Sequence, residues 1–141
     1  MGRDDGRTNV IYIYEAEIIR VIDGDTFELM IDHGSSVFTR PKLRLYGIDA
    51  PELRTKAGKE VASYVAQMAN FMGPKCVVQS IANSRNPQVR DKYGRYLAII
   101  YDQMPSEPKE IINGEKLMDV APKSLNARLV DAGLARERYW F

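Results

Sequence analysis

The 141-residue sequence predicts an α+β protein that is mostly β, on three observations. Apolar and polar residues alternate in several short runs, which is the period of half-buried strands. Two stretches, 57–72 and 125–132, change to helical spacing instead. Turn signals built from Gly, Asn, Asp and Pro separate the runs, which favours short connections between neighbouring strands.

Each element has its own justification. Residues 1–9 are polar and read as a loose leader. Ile11, Ile13, Ile18 and Val21, with tyrosines between them, make a first long strand, closed by the Asp23-Gly24 turn. Phe27, Leu29 and Ile31 alternate with Glu28, Met30 and Asp32 in a second strand, and His33-Gly34-Ser35 is its hairpin turn. A third strand is expected from about Val37 to Ile48, with Pro41 marking an edge or bulge. Val61, Tyr64, Val65, Met68, Ala69 and Met72 recur at helical spacing, and Gly73-Pro74 stops that helix. Lys75 to Ile81 and Tyr96 to Tyr101 are the fourth and fifth strands, joined by a polar loop. Residues 103–124 hold three prolines and one Asn-Gly pair, so a loop is expected there, with a short strand at Lys116 to Val120. Leu125 to Ala132 is a second helix, capped by Ser124 and ended by Gly133. Five short strands, a helix inserted after the third and a C-terminal helix suggest an OB-type five-stranded Greek-key barrel forming a single domain over 1–141. Periodicity by itself supports only the coarser statement, α+β and mostly antiparallel.

Composition excludes more than it assigns. Twenty Lys and Arg face nineteen Asp and Glu, so the formal net charge of +1 does not announce a nucleic-acid binder. Any attraction for a polyanion must come from local placement. A single cysteine, Cys76, rules out an internal disulfide framework and a thiolate metal cluster, and reads as a buried small hydrophobe. No apolar run reaches the length of a membrane span, and no membrane partner is expected. The polar N-terminus lacks the apolar region of a signal peptide. A cytoplasmic monomer is therefore expected, with a secreted form whose signal has been removed left open.

Two distant segments carry the chemistry. VIDGDT (Val21 to Thr26) ends one strand with two carboxylates around a glycine; IDAPE (Ile48 to Glu52) ends another with two more around a proline. Arg44 lies between them, and DKYGR (Asp91 to Arg95) brings a second arginine. Carboxylates that gather a hard cation, with arginines for a charged phosphoryl group, are the components of metal-assisted phosphodiester hydrolysis. If Leu43 and Leu45 face the core, Arg44 points the other way, beside such a site.

In this order VIDGDT, LRLYGIDAPE, DKYGR-x-LA and LVDAGLA resemble the staphylococcal nuclease (thermonuclease) family over residues 14–141. The resemblance implies an OB-type barrel and calcium-dependent cleavage of DNA and RNA that leaves 3′-phosphates. Single-stranded or locally opened nucleic acid is the expected substrate. By position it places the calcium carboxylates on Asp25 and Asp49, with a backbone carbonyl ligand from Ala50. It places the general base on Glu52 and the phosphate-binding arginines on Arg44 and Arg95. Lys92, Tyr93 and Tyr139 match nucleotide-pocket positions, whereas a second pocket tyrosine aligns with Phe141, which lacks the hydroxyl. The loop after Glu52 is shorter than in the best-known member, and residues 103–123 are an insertion. Calcium takes six to eight oxygen ligands, so a set of about three from the protein would leave positions for water and substrate.

Taken singly, each motif has an ordinary reading. Asp23-Gly24 can be only a turn with Asp25 accepting backbone hydrogen bonds, Pro51-Glu52 only the start of a helix, and Arg44 only a solvated or ion-paired strand residue. Asp23 either supports the metal site from behind or only forms the turn. His33, alone in a hairpin turn, reads as a surface residue. Trp140 reads as core cover, and Lys56, Lys59, Arg85 and Arg90 as candidate phosphate contacts or plain surface charge. Two rivals to the nuclease remain: a non-catalytic OB-type module that binds nucleic acid or protein, and a structural calcium-binding domain.

Overall fold

Pairing of extended segments closes on itself. The structure, a computed structural model, describes residues 10–72 and 75–139. The expected leader at residues 1–9, the Gly73-Pro74 helix stop and the roles given to Trp140 and Phe141 lie outside the described residues. The strands are β1 (Ile13–Asp23), β2 (Thr26–Asp32), β3 (Phe38–Thr39), β4 (Lys42–Leu45), β5 (Ile48–Asp49), β6 (Lys75–Ser80), β7 (Tyr96–Tyr101) and β8 (Arg136–Glu137). The helices are α1 (Lys56–Met72), α2 (Leu117–Val120) and α3 (Leu125–Asp131).

β1 pairs with β6, β6 with β7, β7 with β4, β4 with β2, and β2 returns to β1, so five strands form a closed barrel. Four of those seams are antiparallel; the β4–β7 seam is parallel, with Leu43 opposite Tyr96 and Leu45 opposite Ala98. This is the expected OB-type arrangement, and closure leaves no open edge among the barrel strands. Short β3 adds outside β2, and β5 pairs with β8 in a separate two-stranded ribbon. Buried residues of the barrel strands build the core, including Phe27, Leu29, Leu43, Leu45, Val78, Ile99 and Ile100. Cys76 is buried as expected, and burial pushes its thiol up to about 12.

The expected third strand is broken in two places. Pro41 cannot donate to a ladder, and its carbonyl instead accepts from the Leu29 N–H at 3.2 Å, which separates β3 from β4. Gly47 has φ of +78°, and a Cβ there would lie 3.1 Å from the Tyr139 ring, so the chain turns sharply before β5. The expected strand at Lys116 to Val120 is instead the single helical turn α2. Its first N–H, on Leu117, is satisfied by the Tyr139 hydroxyl at 2.7 Å, a partner that local sequence does not reveal. The helix expected to begin near residue 57, or at Pro51-Glu52, begins at Lys56: the Thr55 hydroxyl accepts from the Gly58 N–H at 2.9 Å and so caps α1. Val61 and Val65 face the barrel from α1, with Tyr64 and Met68 half-buried beside them. Ser124 caps α3 as expected, accepting from Ala127, and Gly133 follows with φ of +73°.

Two buried polar side chains fasten the outer segments to the barrel. Tyr46 donates its hydroxyl to the Glu115 carbonyl at 2.6 Å and accepts from the Gly114 N–H at 2.9 Å, which ties down the 103–123 segment. Asn126, fully buried on α3, donates to the Tyr46 and Ala98 carbonyls at 3.0 Å each and accepts from the Ile100 N–H at 3.1 Å. The Ala98 carbonyl also accepts from the Tyr46 N–H at 2.8 Å, so Asn126→Ala strips the amide partner from the Tyr46 carbonyl and the Ile100 N–H; at about 1–3 kcal/mol each it should lower stability by about 2 kcal/mol or more. Urea unfolding of the two proteins measures the difference directly.

Candidate functional site

The site begins at the β1–β2 turn. A Cβ on Gly24 would lie 2.7 Å from Val61 Cγ1 and 2.9 Å from Ala50 Cβ, so glycine lets the turn press against α1 and the end of β5. Asp23 Oδ1 accepts from the Leu53 N–H at 2.9 Å and so ties this turn to the segment after Asp49. Asp25 is only 8% exposed. Its Oδ2 accepts from the Ala50 N–H at 3.1 Å and lies 3.3 Å from Arg44 Nη2, while Oδ1 accepts from the Thr26 hydroxyl at 3.1 Å.

Arg44 projects from β4 on the face opposite the buried Leu43 and Leu45. It is itself buried, so it is not a solvated residue, but it is ion-paired, as the ordinary reading of a strand arginine also allows. Its Nη1 donates to the Ile48 carbonyl at 3.3 Å, and its Nη2 lies 3.3 Å from Asp25 and 3.6 Å from Asp49 Oδ1. One guanidinium nitrogen therefore touches both carboxylates that the sequence put in different segments. On its other oxygen, Asp49 meets Arg136 Nη2 at 3.2 Å and Arg138 Nη1 at 3.5 Å, carried there by the β5–β8 pairing that sets Asp49 opposite Arg136.

Arg95 arrives from the far side. Its Nη1 donates to Thr26 Oγ1 at 3.0 Å, the same hydroxyl that donates to Asp25. Its Nε and Nη2 lie 2.7 Å from Asp91 Oδ2. The Asp91 carboxylate also accepts the N–H groups of Tyr93 and Arg95, which closes a tight turn around Gly94 at φ of +81°. Burial pushes the Asp91 carboxyl up, but the Arg95 side chain and those two N–H groups outweigh it and hold it below its ordinary 3.8. On this turn Tyr93 is 71% exposed, with Lys92 Nζ 5.1 Å and Arg95 Cζ 5.2 Å from its ring centre. An exposed aromatic face flanked by two cations can stack a base while the charges meet phosphate.

The other expected residues sit differently. Glu52 is exposed, and its Oε2 accepts from Arg54 Nε at 2.5 Å; its carboxylate is not among the groups gathered at Asp25 and Arg44. Its backbone is fixed, since its carbonyl accepts from the Thr55 N–H and hydroxyl, and a Cβ on Gly58 would come within 1.8 Å of that oxygen. Ala50 turns its N–H toward Asp25. Tyr139 is half-buried, edge-on to Tyr46 at 5.8 Å between ring centres, and hydrogen-bonded to Leu117 and Glu137. Arg90 stacks on Tyr96 at 4.4 Å and donates to its hydroxyl. His33 is exposed and meets Thr39 Oγ1 at 2.6 Å. Thr26, Arg136 and Arg138 were not anticipated as site residues. The basic C-terminal run was a signal for the arginines, but their partner Asp49 lies 87 and 89 positions away.

The donor set is suited to a hard cation in one respect: it is all oxygen. Among the described residues, however, no three His, Cys, Asp or Glu side chains are grouped to hold a metal ion. Asp25 and Asp49 provide two carboxylates around a point now faced by a guanidinium nitrogen. Such a pair fits an ion that keeps water and takes oxygens from substrate, not a closed structural site.

The Asp91–Arg95 clamp gives a pH signature. A carboxyl lowered in the folded state contributes stability above its unfolded pKa and loses that contribution as pH falls through the folded value. Asp91→Asn should therefore be less stable than wild type at about pH 7, and the gap should narrow as the pH is taken below the ordinary 3.8. Urea midpoints across that range report it.

A search of the curated proteins finds no match for the chain. A family model described as staphylococcal nuclease homologue matches residues 42–140, from the start of β4 past the end of β8. That span holds Arg44, Asp49, Glu52, Arg95, Arg136 and Arg138, while Asp23 and Asp25 precede it. With the closed barrel, the match shows that the chain belongs to the staphylococcal nuclease homologue family.

Proposed function

We propose that the protein is a calcium-dependent nuclease that hydrolyses DNA and RNA with little sequence specificity and leaves 3′-phosphates. The family membership supports a nuclease-like protein acting on nucleic acid. The observation that carries the finer reading is the meeting of Asp25 and Asp49 on one nitrogen of Arg44, with Arg95 joined to Asp25 through Thr26. In this reading the substrate is single-stranded or locally opened, and the enzyme works as a monomer.

Asp25 and Asp49, with the Ala50 carbonyl, are the residues that would hold calcium. When bound, the ion offsets the phosphodiester charge and polarises phosphorus toward attack. Arg44 and Arg95 grip non-bridging oxygens with planar forks that stay charged at neutral pH. As charge builds on the phosphoryl group their hydrogen bonds strengthen, and the bond to the 5′ oxygen breaks. Neighbouring carboxylates fix both forks, so little reorganisation is needed at the moment of reaction. Glu52 takes a proton from the attacking water. Its exposed pair with Arg54 is worth about 0.2–1 kcal/mol by analogy with other surface pairs, so turning it toward substrate costs little.

Arg44→Ala and Arg95→Ala should each slow cleavage by about 2.7–4 kcal/mol of barrier, roughly 100- to 1000-fold. Cleavage of labelled DNA with calcium, repeated with chelator, and end-group analysis of the products test the reading; near wild-type rates in both variants would refute the arginine roles. One observation favours a second reading, a non-catalytic OB-type binding module: the Glu52 carboxylate stands on Arg54, apart from the carboxylate pair. Tight binding of DNA with no calcium-stimulated cleavage would select that module.

A further inference from the structure

The cations around Asp49 outnumber what a carboxylate pair needs. Three guanidinium groups, from Arg44, Arg136 and Arg138, lie within 3.6 Å of its two oxygens. Among the described residues, and counting Asp25, the cluster carries three positive charges against two negative, in a chain whose net charge is only +1. Arg44 is buried and held by the Ile48 carbonyl, but the Arg136 and Arg138 side chains are 72% and 44% exposed. Ion pairs at such exposure contribute little and exchange partners readily.

The backbone beneath the two arginines is anchored independently of them. β8 pairs with β5, and the Arg138 N–H donates to the Gly47 carbonyl at 2.9 Å. Glu137, between them, turns to the other face and accepts from Tyr139, whose hydroxyl in turn accepts from Leu117. Residues 136 and 138 share one strand face, about 7 Å apart along the strand, and their long side chains now converge on one oxygen of Asp49, so on release each can reach a separate phosphate.

We propose that Arg136 and Arg138 are exchangeable counter-ions: they hold Asp49 in the metal-free protein and bind phosphates flanking the scissile one once a divalent cation takes that carboxylate. The inference rests on the nuclease reading and extends it to the substrate, a polynucleotide engaged at several phosphates. The same two side chains then oppose calcium at Asp49 and favour nucleic acid, so removing them moves the two affinities in opposite directions. A purely structural pair would weaken both.

The test compares wild type, Arg136→Ala/Arg138→Ala and Arg136→Lys/Arg138→Lys. Calcium is titrated calorimetrically into each protein without nucleic acid, and cleavage of a labelled single-stranded oligonucleotide is followed across salt concentrations. In the alanine variant calcium should bind about two- to tenfold tighter, the range that two exposed ion pairs carry. Its KM should rise about tenfold with kcat little changed, and the salt dependence of kcat/KM should become shallower by about 0.7 for each arginine removed. The lysine variant should recover most of the salt dependence, and it carries the test if the alanine variant does not fold. Calcium affinity unchanged or weakened, or an unchanged KM, in a variant of an active wild type overturns this inference alone. A wild type that neither binds calcium nor cleaves overturns the nuclease reading with it.

Discussion

A carboxylate out of water must be matched, and Asp25 is the buried carboxylate about which this site is organised. Its partners come from three places in the chain: the neighbouring Thr26 hydroxyl, the Ala50 N–H and the Arg44 guanidinium. Satisfying it brings the β1–β2 turn, β4 and the end of β5 together. Arg44, itself buried, then needs acceptors, and it finds them in Asp25, Asp49 and the Ile48 carbonyl. Mutual desolvation makes the cluster specific, because neither charge can be left alone without a large penalty.

The parts of the fold legible in sequence were those whose causes are local. β2 and β7 follow strict alternation or an apolar run with clear turn signals on both sides, and β7 spans the expected residues Tyr96–Tyr101. α3 was legible because Ser124 and Gly133 punctuate it. The third strand is only partly legible, since the mixed run from Val37 to Ile48 conceals two interruptions that come from a missing N–H at Pro41 and from a left-handed turn at Gly47 packed against Tyr139. Lys116 to Val120 is ambiguous in sequence because five residues carry no distinguishable period; a tyrosine over twenty positions later holds the first N–H of its helical turn. β8, two residues long, exists through its pairing with β5.

For the site, residue types and segments were legible, but neighbourhoods were not. The sequence pointed to Asp25, Asp49, Arg44 and Arg95, and the fold joins them through contacts and a shared hydroxyl. It could not show that Glu52 stands on Arg54, or that Tyr139 caps α2 while packing on Tyr46. Net charge was a poor guide for a related reason. Twenty basic and nineteen acidic residues nearly cancel in the sum, whereas around Asp49 the fold concentrates arginine. What matters to a polyanion is that local surplus.

The parallel seam between β4 and β7 bears on how the molecule is made. Its strands are separated in the chain by β5, α1 and β6, so closing the barrel requires a large loop to be drawn in before the seam rewards it. Arg44 lies in that seam and Arg95 immediately before β7, so the two guanidinium groups come together only when the seam forms. An incompletely folded chain thus holds the pair apart. The cluster of Asp25, Arg44, Thr26 and Arg95 should therefore assemble cooperatively with closure of the barrel, not before it.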